Sequence, residues 1–100
     1  MGKCNSNKFS LKTKEREYCR LVGSAIKQLR QEKTGKSCLL FAYENEIPKS
    51  TLNRIELGQN EAQLITLKKI AEAFNMSLSE LFMQIEKKIP DFKIFEDEHY

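Results

Sequence analysis

Apolar positions recur along this chain at helical spacing. Val22, Ile26 and Leu29 stand at i, i+4 and i+7, and Tyr18 and Ala25 widen the stripe, which predicts a helix over residues 14–33. Thr34-Gly35-Lys36 breaks it, with the glycine as a left-handed cap. Ser37 has the side chain of an N-cap and opens a second helix running to about residue 45. After a short break Pro48 opens a third helix, which ends before Gly58. Beyond the polar loop 59–63, Leu67, Ile70, Ala71 and Phe74 mark a fourth amphipathic helix that Asn75 closes. The start of the fifth is the sharpest local signal. Ser77-Leu78-Ser79-Glu80 is a capping box, and Met76 and Leu81 occupy the two positions of a hydrophobic staple. Leu78, Leu81, Phe82 and Ile85 continue a buried stripe, until Pro90 blocks the helix. No strand is required. The expected fold class is all-α, with five short helices around one core.

One hundred residues support one domain with a modest core. The expected organisation is a flexible basic arm over 1–12, a helical domain over 13–86 and a C-terminal tail over 87–100. A composition 40% hydrophobic and 31% charged is too apolar for a wholly disordered chain. No stretch reaches the ~20 apolar residues of a membrane span, and the first residues lack the apolar run of a secretory signal. A cytoplasmic protein with no membrane association is expected.

Cys4, Cys19 and Cys38 are irregularly spaced and form no C-x-x-C pair, and His99 is the single histidine. That pattern opposes a disulfide framework and a zinc site, so no metal and no cofactor are expected. Charge is unevenly placed. Residues 1–37 hold ten Lys/Arg against three Glu, while residues 38–100 hold seven Lys/Arg against eleven Asp/Glu. A basic front suits a polyanion, because phosphate neutralisation releases condensed counterions. A charge run is equally often a solvated face, so charge alone leaves both readings open.

Two short helices joined by a tight turn, the second projecting its first side chains outward, make a DNA-reading unit. Here that unit spans 37–58, with a recognition helix at about 48–57. The third helix offers Lys49, Ser50, Thr51, Asn53 and Arg54 outward, and Leu52 and Ile55 inward. Lys and Arg donors suit guanine edges, Asn suits adenine, and hydroxyls suit phosphates or either base. For an enzyme the chain lacks a Ser/His/Asp set, a phosphate-cradling glycine loop and a clustered carboxylate pair, so no catalytic residues are expected.

The ordered series resembles the phage-repressor and Cro type of helix-turn-helix, the xenobiotic-response-element (XRE) family. It runs Ile26-x-x-Leu29-Arg30, Ser37-x-x-x-Phe41-Ala42, then Ile47-x-x-Ser50-Thr51-Leu52-x-Arg54-Ile55-Glu56-x-Gly58. It continues Leu64-x-x-Leu67-x-x-Ile70-Ala71-x-Ala73-Phe74 and Ser77-Leu78-x-Glu80-Leu81. The resemblance implies a five-helix lambda-repressor-like domain that binds double-stranded DNA as a small transcriptional regulator and homodimer. It implies an Arg30–Glu56 structural ion pair tying the first helix to the third, and a small Ala42 where the second and third helices pack. Ser37, Cys38, Lys49, Ser50, Thr51, Asn53, Arg54 and Asn60 fall where the family touches DNA, with Ser37 and Cys38 at a helix start whose free N–H groups favour a phosphate.

The chain also departs from that pattern. Glu46 stands at a turn position often held by Gly, where φ > 0 brings backbone strain. Pro48 replaces the usual Ser or Thr and removes a cap. Cys38 stands where a Gln is frequent, and Gln59-Asn60-Glu61 lacks basic residues. Leu39 and Leu40 replace polar residues. A slightly rotated second helix would bury Leu40, and the other reading is a small protein-contact patch. Ile89, Phe92, Ile94 and Phe95 make the tail apolar enough either to serve a dimer surface, with the fifth helix, or to fold back over its own core. The alternative function is a protein-interaction module, an antitoxin or adaptor, with a partner protein on Leu39, Leu40 or the tail.

Overall fold

The computed structural model describes residues 11–95, so the expected arm lies outside them except for Leu11 and Lys12, as does the end of the tail, 96–100. Among the described residues five helices follow in order: α1 (Thr13–Thr34), α2 (Cys38–Glu44), α3 (Lys49–Glu56), α4 (Leu64–Ala73) and α5 (Leu78–Lys88). Among the described residues there is no strand, and no helix is long and apolar enough to cross a membrane.

Local chemistry sets the ends. At the start of α1 the Lys12 N–H donates to the Glu15 carboxylate at 2.9 Å. Gly35 ends the helix at φ 67°, and its N–H reaches the carbonyls of Arg30 and Gln31. Ser37 accepts the Leu40 N–H on its hydroxyl at 3.1 Å and so starts α2. The α5 capping box is complete: Ser77 Oγ accepts from the Glu80 N–H at 3.2 Å, and Glu80 Oε1 accepts from the Ser77 N–H at 2.9 Å. Asn75, after α4, takes the left-handed conformation at φ 59°.

Every helix gives one stripe to a single core: Ile26 and Leu29 from α1, Phe41 from α2, Leu52 and Ile55 from α3, Ile70 from α4, Leu81 and Ile85 from α5. Phe41 and Phe74 meet there with ring centroids 5.5 Å apart. α1 packs on α3 and α5, α2 on α3, and α4 on α5. At the α1–α3 crossing the backbones nearly touch. Gly23 is buried, and a Cβ added to it would lie 2.1 Å from the Ile55 carbonyl oxygen.

Two burial expectations are corrected. Leu40 is 43% exposed and Leu39 60% exposed. Cys38, Phe41 and Ala42 form the inward i, i+3, i+4 stripe of α2, and 100° per residue then turns Leu40 away from the core. Phe82 is likewise 43% exposed, because it stands at the edge of the α5 stripe set by Leu78, Leu81 and Ile85. Of the two readings of the tail, folding back describes its first part. Ile89 packs on the core, and Phe92 stacks on Tyr18 of α1 at 5.8 Å with Lys14 over its ring. Phe95 stays exposed.

Candidate nucleic-acid interface

The helix-turn-helix is α2, the turn 45–48 and α3. Ile47, buried in the turn, anchors it to the core. Glu46 takes φ 56°, the left-handed region in which a glutamate is strained. Pro48 stands at the N-cap of α3 and makes no side-chain cap hydrogen bond, since it has no side-chain acceptor.

α3 buries Leu52, Ile55 and Glu56 and leaves Lys49, Ser50, Asn53 and Arg54 exposed, with Thr51 half-buried. Residues 49 and 53, and 50 and 54, are four apart, so these side chains form two adjacent rows on one face. Lys49 and Arg54 make no ion pair among the described residues, whereas Lys36 is held by Glu44 and Lys88 by Glu32. Two cations on the α3 face thus stay available to an outside partner.

The back of α3 is fixed by Arg30. Its Nε donates to Glu56 Oε2 at 2.8 Å and its Nη2 to Oε1 at 2.9 Å, both side chains being buried. A third donor, Nη1, reaches the Lys36 carbonyl at 2.6 Å. The hydrogen bond to Glu56 holds the guanidinium pKa above its ordinary value. Each of these three nitrogens meets an acceptor, which lets two charges lie in the core. Glu56 is committed to this contact.

Of the remaining site residues, Ser37 is exposed, with its hydroxyl engaged as the α2 cap. Cys38 is half-buried. Burial first, and then the Glu56 charge, push its thiol pKa up, against smaller opposing effects of Arg30, Lys49 and Lys27. Cys38 is therefore a neutral thiol near pH 7. Asn60 is exposed in the α3–α4 loop and borders a cleft against the start of α1 beside Leu11 and Glu61. Among the described residues no three His, Cys, Asp or Glu side chains are grouped to hold a metal ion.

Sequence reasoning missed two residues here. Gly23 lets α1 approach α3, and its signal is a glycine inside an otherwise regular helix, where it lowers propensity without local reward. Lys27 is exposed on α1 and close enough to Cys38 to act on its thiol. No motif marks it.

Comparison with known proteins fits this geometry. A helix-turn-helix family model matches residues 44–81, from the end of α2 into α5. The chain is also similar to the control protein C.MunI of Mycoplasma sp, 38% identical over 66 residues that cover 66% of this chain and 89% of that protein. With that identity and coverage added to the architecture, the chain belongs to the Cro/XRE-type helix-turn-helix family of DNA-binding regulators.

Proposed function

We propose that the protein binds a pseudo-palindromic operator as a homodimer and lays α3 in the major groove of each half-site. Lys49 and Arg54 donate to guanine O6 and N7, Asn53 pairs with an adenine edge, and Ser50 bonds a base or phosphate. Thr51, half-buried, offers its methyl to a thymine. The start of α2, at Ser37 and Cys38, lies against the DNA backbone, with Lys27 adding a phosphate contact and Asn60 a loop contact. Two copies place their recognition helices about 34 Å apart, one turn of duplex.

The observation that supports this most is the α3 face. It is polar, outward and without an ion pair among the described residues, and its opposite side is fixed by Leu52, Ile55 and the buried Glu56. A helix held that firmly presents its side chains in one geometry, as base readout requires. The similar Mycoplasma chain is a control protein, which agrees with a regulatory role. Selection from random-sequence duplexes with the purified chain tests the reading. An enriched two-fold motif with half-sites about one turn apart supports it, and the absence of any enriched sequence overturns it.

A further inference from the structure

The turn between α2 and α3 closes by two backbone hydrogen bonds, Ile47 N–H to the Ala42 carbonyl at 2.9 Å and Glu46 N–H to the Tyr43 carbonyl at 3.4 Å. This is the glycine-type helix ending with its left-handed position filled by Glu46 at φ 56°. The end of α4 repeats it, with Met76 N–H to Ala71 and Asn75 N–H to Glu72, but there the left-handed residue is an asparagine. Asparagine tolerates that conformation and glutamate does not share the ease. Glu46 is thus the strained member of the pair, and it sits at the joint that sets the angle of α3.

One contact from outside the helix-turn-helix meets that residue. Lys69, on α4, donates from Nζ to the Glu46 carbonyl at 2.8 Å, across 23 positions of sequence. The carbonyl lies just beyond the C-terminus of α2, where the helix dipole favours a cation. An ammonium there satisfies the strained peptide's acceptor and ties α4 to the turn. We propose that Lys69 is a positioning residue for DNA reading. It holds the left-handed turn at Glu46, and so the presentation of α3, without itself touching DNA. This rests on the DNA-reading role proposed for α3.

The test compares Lys69→Met, Lys69→Arg, Glu46→Gly and the Lys69→Met/Glu46→Gly double variant. Each is titrated with the selected duplex and an unrelated duplex over a salt series, and each is unfolded thermally. Lys69→Met is expected to weaken binding to the selected duplex about fivefold, the equivalent of one hydrogen bond. Binding to the unrelated duplex and the slope against salt should stay as in wild type, and Lys69→Arg should restore the specific affinity. In the Glu46→Gly chain, where glycine adopts the turn unaided, loss of the lysine should cost nothing. A slope reduced by about one phosphate contact, with both duplexes weakened alike, overturns the proposal by making Lys69 a phosphate ligand. An equal loss in the Glu46→Gly background also overturns it. If wild type selects no sequence, the DNA reading fails separately and the clamp is judged by unfolding alone. Lys69→Met must then lower Tm in the wild-type background and not in the Glu46→Gly background, and equal drops overturn the clamp.

Discussion

The Arg30 guanidinium grips the Glu56 carboxylate through two parallel hydrogen bonds, 2.8 and 2.9 Å long, inside the contact between α1 and α3. Breaking such a pair strands a buried charge, while replacing both partners removes the desolvation penalty together with the attraction. Glu56→Ala should therefore lower unfolding free energy by about 3–5 kcal/mol, read by urea denaturation. The Arg30→Met/Glu56→Leu chain should lose far less than either single variant. Additive losses would show that the pair is not a closed unit.

The glycines make a sharper contrast. An added Cβ at Gly23 meets the Ile55 carbonyl at 2.1 Å, whereas at Gly35 it meets nothing within 4 Å. Gly23→Ala should cost about 2–4 kcal/mol, because α1 must move off α3, despite the gain of roughly 1 kcal/mol in helix propensity. Gly35→Ala should cost only the left-handed backbone penalty, about 1 kcal/mol. Thermal unfolding of the two variants orders them, and the reverse order contradicts the close crossing.

Much of the fold is legible in the chain itself. The α5 capping box, the Gly35 cap and the Asn75 stop are local chemistry, settled within four residues of each helix end. The inward side of α3 is legible too, because Leu52 and Ile55 leave its period little choice. What escapes depends on contacts distant in sequence. The rotation of α2 follows Phe41, whose ring meets Phe74 far along the chain, so Leu40 could not be placed from its neighbours. Lys69 looks like any solvated lysine until the fold brings Glu46 to it.

The half-buried thiols give the pH dependence. Cys19 and Cys38 both have raised pKa values, through burial first and then nearby carboxylates. Folding thus favours the protonated thiol. Their contribution to stability is whole below the ordinary thiol pKa of about 8.5 and is lost as pH rises through the raised folded values. Stability should fall on the alkaline side of that point, and Cys19→Ala/Cys38→Ala should flatten the fall. Alkylation followed by peptide mapping should find both thiols slower in the folded chain than in urea at pH ~8, below the ordinary thiol pKa. Equal rates would contradict the shifts.

The homodimer proposed above needs a surface, and Leu64 and Ile65 of α4 with Met83 of α5 are exposed apolar side chains outside the α3 face. Ile65→Glu/Met83→Glu should move the protein toward monomer in sedimentation and weaken binding to a two-fold duplex, while leaving half-site binding as in wild type. Unchanged sedimentation would contradict a dimer contact through these side chains.

On the function proposed above, α3 reads bases with Lys49 and Arg54. The most direct measurement is the ratio of affinities for the selected duplex and a scrambled one, in wild type and in Lys49→Ala/Arg54→Ala, with unfolding followed in parallel. Both residues are exposed and make no ion pair among the described residues, so the variant should unfold as wild type does. Its preference for the selected duplex should drop by about 1–3 kcal/mol per lost base contact. A stable variant that keeps the full preference would contradict base contacts by these two residues and move sequence recognition off α3.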